Sequence, residues 1–140
     1  MNKEKLQKEK LMKTNLILAG RLTLGLALVV FGLNGFLQFI PVPPPAPAAG
    51  ALLGAFFKTG YFFPFIKIAE IFAGSLLLSN RLVPFALAFI FPIIIGFTQI
   101  HLFLDPAGLA LPLILLAIHA FLTHGHWAYF KTVMTIKTES

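Results

Sequence analysis

Lys67 and Glu70 stand three residues apart inside the apolar run FFPFIKIAEIFAGSLLL (62–78). On a helix that spacing makes their side chains neighbours. Two chemistries fit such a pair. It can be a structural ion pair that makes burial tolerable, or a group that holds a polar ligand and passes a proton. Both stay open at this point. Asn34, Gln99, His101 and His119 interrupt other apolar runs. Insertion scales put a charged side chain at a helix centre at about 2.5–3.5 kcal/mol, so such residues need compensation or a use.

The runs that carry them are long. Of 140 residues, 58% are hydrophobic and 11% charged, against about 25% charged in soluble domains. A soluble fold of this size could not hide so much apolar side chain, which places the chain in the membrane class. Four segments of spanning length follow: about 16–40, 61–78, 82–104 and 108–130. Residues 1–14 form a basic tail and 131–140 a polar one, leaving a single transmembrane domain at 15–130. A signal peptide is the competing reading of the first segment, and APAAG at 46–50 resembles a cleavage site. A cleavable h-region is about 7–15 residues long, shorter than this run, so the segment is expected to stay and span.

Between the first two segments, PVPPPAPAAG (41–50) cannot be helical through its centre. ALLGAFFK (51–58) is too short to span and is expected to lie at the interface or cap the bundle. Pro92 should kink the third segment. Arg21, Gly25, Gly32 and Gly35 share a face of the first segment, where small residues let helix backbones approach in lipid.

Orientation follows from Lys and Arg. The N-terminal side holds Lys3, Lys5, Lys8, Lys10 and Lys13 and also receives Arg81, Lys131 and Lys137; the other side has Lys58. The expected fold is therefore all-α, an integral membrane four-helix bundle. Both termini are cytoplasmic, and a Pro-rich outer loop and a short interfacial helix join helices one and two. The expected location is the bacterial cytoplasmic (inner) membrane.

At about 1.5 Å per residue, depth below the outer boundary can be estimated. Asn34 lies about 8 Å down, Lys67 about 9 Å and Glu70 about 13 Å. Gln99 lies about 8 Å down, His101 about 5 Å and His119 about 16 Å. Polar groups from several helices thus converge in the outer half, beneath the lid-like stretch 41–60. Asn34, Lys67, Glu70, Gln99, His101 and His119 are the expected ligand-binding residues. No catalytic residue is assigned; Glu70, Lys67 and His101 are the best candidates. Phe62, Phe63 and Phe97 would supply apolar walls. His124, His126, Trp127 and Tyr129 read as an interfacial belt at the inner end.

Other chemistries fit poorly. No cysteine is present, which excludes disulfides, thiol exchange and Cys-ligated clusters. His101 and His119 differ by about 11 Å in depth, too much for two haem ligands. His124-x-His126 is not a metal spacing on one helical face, so no metal is expected. No phosphate-binding glycine loop or hydrolase motif appears. The basic tail lacks the aromatic partners of a nucleic-acid surface.

The stretch 58–87, KTGYFFPFIKIAEIFAGSLLLSNRLVPFAL, resembles the DoxX/DoxD family of small membrane proteins. The similar features are Thr59-Gly60-Tyr61, Pro64, Glu70, Gly74, Leu77-Leu78, Arg81 and Pro84. Upstream, Arg21, Gly25 and FGLNGFLQFIP (31–41) also fit; downstream, Pro92, His101-Leu102-Phe103 and Pro106 do. The resemblance covers about 17–130. It implies a four-helix membrane fold and a redox-associated subunit that binds a quinone or another small amphipathic ligand, with no covalent cofactor. If the chain is part of an enzyme, that enzyme is a quinone-linked oxidoreductase. A soluble or membrane redox partner and a homo-oligomer are both compatible. The alternatives are a non-enzymatic scaffold for a partner protein and, with less support, a small transporter, which a single unit without an inverted repeat disfavours.

Overall fold

A computed structural model describes residues 2–134. Among them are six α-helices and no strand: α1 (Lys3–Leu37), α2 (Pro47–Lys58), α3 (Phe62–Leu78), α4 (Val83–Leu104), α5 (Ala110–Gly125) and α6 (Trp127–Val133). Two of them, α1 and α4, are long and apolar enough to cross a membrane; the number rises to four if the bent pairs α2–α3 and α5–α6 each count as one span.

The helices begin and end for local reasons. Asn2 caps α1, its side chain accepting from the Glu4 amide, as Asn commonly does at an N-terminus. Lys, Glu, Gln, Leu and Met dominate residues 3–13, and all favour helix. Glu4 and Lys8 pair at 2.9 Å one turn apart. The basic tail expected at 1–14 is therefore the first part of a 35-residue helix. That length is about 52 Å, well beyond a hydrocarbon core of about 30 Å. α1 stops at Leu37 rather than residue 40 because Gln38 turns left-handed (φ 49°). Asn34 then takes both polar groups of Ile40: its Oδ1 accepts from the Ile40 amide at 2.6 Å and its Nδ2 donates to the carbonyl at 3.1 Å.

α2 starts with Pro47 in its first turn, where the missing N–H costs nothing. Gly60 (φ +75°) turns the chain between α2 and α3, which meet at 93°. The fourth segment, expected as one helix over 108–130, divides at His126 into α5 and α6, bent by 74°. The polar tail expected at 131–140 is helical as far as Val133; from residue 135, including Lys137 and Ser140, it lies outside the described residues.

α1 packs on α3 and α5, and α4 packs on the same two helices, so four helices touch in a ring. The α1–α3 seam is glycine-built. A Cβ on Gly74 would lie 2.7 Å from the Gly25 carbonyl oxygen, and one on Gly32 would lie 2.6 Å from Ile71 Cγ1. Arg21 donates to the carbonyls of Leu77 and Leu78, closing the last turn of α3, whose final carbonyls lack helical partners. The contacts run from Arg21 with Leu77 to Gly35 with Lys67, so the two helices are antiparallel. Leu24, Leu28, Ala73, Leu77, Leu87, Ile90 and Leu122 fill the core between the helices.

Antiparallel packing sorts the charges. The Arg81 turn lies at the end of the ring that α1 enters. The end of α5 does too, with Gly125 close against Ile17. Loop 38–46, α2 and Asp105 lie at the opposite end.

Candidate functional site

Under α2 and the proline segment, the opposite end of the ring opens into a cavity of about 1030 Å³. Its walls come from every helix except α6. α1 gives Asn34 and Gly35, the loop Ile40 to Pro44, and α2 Leu53 and Phe57. α3 gives Phe63, Lys67 and Glu70, α4 gives Ile94, Phe97 and His101, and α5 gives Leu111 to Leu115 in part.

Lys67 and Glu70 form one polar group in the wall. Lys67 Nζ lies 2.9 Å from Glu70 Oε2 and 3.2 Å from Oε1, with the side chains 16% and 12% exposed. The ammonium also stands 5.5 Å from the centre of the Phe63 ring, within cation–π range. Gly35 makes the arrangement possible. A Cβ there would fall 2.6 Å from Lys67 Cγ and Cδ, so the lysine stem lies across α1 only because residue 35 has no side chain. The glycine stripe on α1 thus serves packing at Gly25 and Gly32 and the site at Gly35.

His101 and Asp105 form the second polar group. His101 Nδ1 is 3.4 Å from Asp105 Oδ2 and 3.3 Å from the Asp105 carbonyl oxygen. With its proton on Nδ1, the ring donates toward these oxygens and keeps Nε2 as an acceptor. Gly108 shapes the seat of the ring, since a Cβ there would lie 2.5 Å from His101 Nδ1 and Cε1. Phe97 meets the same ring edge-on at 4.8 Å. From sequence, Asp105 reads as a turn residue, although its i, i+4 spacing from His101 is a pairing distance on a helix. Gly108 carries no sequence signal for this role.

The structure brings Asn34, Lys67, Glu70 and His101 to one cavity and sets Gln99 and His119 apart from it. Both polar atoms of the Asn34 amide are engaged by Ile40, so Asn34 anchors the loop that roofs the cavity. Gln99 is exposed on the far side of α4. His119 is buried between α4 and α5, its Nε2 2.8 Å from the Leu87 carbonyl oxygen and its ring stacked on Phe91. That carbonyl is one residue before Ala88, whose own oxygen loses a helical donor to Pro92. His119 lines a smaller cavity of about 580 Å³ at the other end, with Thr123, His124 and Trp127. Of the expected aromatic walls, Phe63 and Phe97 line the larger cavity; Phe62 packs on Phe56 of α2 at 4.5 Å, holding α2 to α3. No group of three or more acidic, His or Cys side chains could hold a metal among the described residues.

An apolar chamber of this size with two acid–base pairs can hold a small amphipathic molecule. Its ring or tail would lie against Phe63, Phe97 and the leucines, and its polar atoms against Lys67–Glu70 and His101–Asp105. No protein-family model, curated protein or solved structure matches the chain.

Proposed function

We propose that this is a DoxX-like membrane protein whose four helices α1, α3, α4 and α5 cross the bilayer, and that it binds a quinone or a similar small amphipathic ligand beneath α2 as a redox-associated subunit. In this reading both termini are cytoplasmic, the cavity opens in the outer half, and the membrane is the bacterial cytoplasmic one. The family resemblance rests on the residue pattern over 17–130. The orientation rests on the basic residues, with Lys3 to Lys13, Arg81 and Lys131 at one end and Lys58 at the other. α3 and α5, with 17 and 16 residues, are about 25 Å long. Each can cross a slightly thinned core, while α2 and α6 turn off along the two interfaces.

The observation that carries the ligand reading is the cavity. At about 1030 Å³ it stands at the upper edge of the 300–1,000 Å³ typical of ligand sites, which pair apolar walls with a few convergent polar groups. A quinone headgroup needs donors for its carbonyls and proton acceptors for its reduced hydroxyls. Lys67 Nζ supplies a donor, and Glu70 and His101 take or give protons. The electrons come from a partner redox protein. Photolabelling with a short-chain azidoquinone in bilayer nanodiscs tests this. Labelled peptides should map to 34–44, 57–70 and 94–105, and excess unlabelled quinone should compete. Labelling confined to 116–134, or not competed, would remove the basis for the proposal.

A further inference from the structure

Along α4, Phe85, Phe89, Pro92, Gly96, Gln99 and Phe103 follow one another at intervals of four, three, four, three and four residues. That alternation is the spacing of a and d positions along a two-stranded coiled-coil seam. All but Gly96 are exposed, and a Cβ on Gly96 would have nothing within 4 Å. Toward the C-terminal end of this exposed face, five residues before α4 ends at Leu104, the Gln99 amide makes no hydrogen bond to any described residue. Hydrocarbon offers it no partner either, and polar side chains on spanning helices are usually satisfied across a helix–helix contact.

We infer that α4 is a dimerisation helix and that its partner is a second copy of this chain, joined through Gln99. The occupant follows from symmetry and chemistry. Copies inserted with the same topology can pair only about an axis normal to the membrane, so α4 meets α4 in parallel and each seam residue faces its own copy. A carboxamide is self-complementary, with one donor group and one acceptor, so Gln99 can satisfy Gln99. Gly96, one turn away, lets the backbones approach as small residues do in membranes. Pro92 and the phenylalanines flank the contact with apolar surface. The inference requires α4 to span the bilayer and requires nothing of the ligand in the cavity.

The chain has no native cysteine, so single cysteines report cleanly. Phe103→Cys, on the seam, should form an intermolecular disulfide when membranes are oxidised. Leu113→Cys, exposed on α5, should not. In lipid vesicles, energy transfer between two labelled copies should show the dimer dissociating about tenfold more readily in Gln99→Leu. Gln99→Asn, which keeps the amide, should stay close to the parent. Gln99→Leu sets an apolar side chain against lipid, so it should insert and fold. Equal cross-linking from both cysteines, or an unchanged dissociation constant in Gln99→Leu, would overturn the inference.

Discussion

Lys67 and Glu70 share one turn of α3, ammonium to carboxylate at 2.9 Å, with the lysine stem lying over Gly35 of α1. Each charge is tolerable there because the other is present. Removing one leaves the other buried and uncompensated, which typically costs about 3–5 kcal/mol, whereas replacing both by apolar residues is often neutral. Lys67→Met should therefore be strongly destabilised in reversible unfolding in detergent, and Lys67→Met/Glu70→Leu should be close to the parent. A double variant as unstable as the single one would show that the pair is not the unit of compensation.

The Gly25–Gly74 crossing gives a contrast of sign. A Cβ at Gly74 would press on the Gly25 carbonyl at 2.7 Å and on Val29 Cγ2 at 2.8 Å. Gly74→Ala should lose about 1–3 kcal/mol by overpacking. On α2, nothing approaches a Cβ at Gly54. There Gly54→Ala should be neutral or gain up to about 1 kcal/mol from helix propensity. The thermal unfolding midpoint should fall in Gly74→Ala and hold or rise in Gly54→Ala; a fall in Gly54→Ala as large as that in Gly74→Ala would contradict this account.

Arg21 satisfies the end of α3 rather than a carboxylate. Arg21→Met would take the charged donor from the part-buried Leu78 carbonyl and leave the Leu77 carbonyl only the Asn80 amide at 3.3 Å, at a cost of about 1–3 kcal/mol. Amide exchange should then rise in the last turn of α3 and leave its first turn unchanged. Uniform exchange along α3 would contradict the capping role.

The contrast between Arg21 and Lys67 marks how far the sequence could be read. Apolar run length located α3 and α4 within a residue or two, because insertion into hydrocarbon depends on length and composition. The i, i+3 spacing gave the Lys67–Glu70 pair for the same local reason. What depends on rotation about a helix axis could not be read. Gln99 and His101 are at nearly the same depth, yet one faces outward and the other lines the cavity. Depth alone does not place His119, whose side chain reaches the Leu87 carbonyl away from the larger chamber. Breaks set by tertiary contact, such as the bend at His126, were invisible, as was the seat that Gly108 makes for His101. The helical continuity of 3–14 into α1 is legible from the propensity of its Lys, Glu, Gln, Leu and Met, while its charges alone mark only a basic tail.

The orientation can be tested at described positions. Cysteine at Val42 or Lys58 should react with a membrane-impermeant thiol reagent in intact cells. Cysteine at Lys8 or Asn80 should react only after the membrane is opened. Labelling of Asn80→Cys in intact cells would reverse the topology and move the cavity to the inner leaflet.

The most direct measurement is the equilibrium affinity of the purified protein in nanodiscs for a short-chain quinone, compared across three proteins. The parent should bind saturably. Glu70→Gln keeps size and hydrogen bonding but not charge, and should bind at least about tenfold more weakly, a difference of roughly 1.4 kcal/mol. Lys67→Met/Glu70→Leu should fold and fail to bind. Parent-like affinity in Glu70→Gln and in the double variant would contradict the ligand site and leave Lys67 and Glu70 as a structural pair.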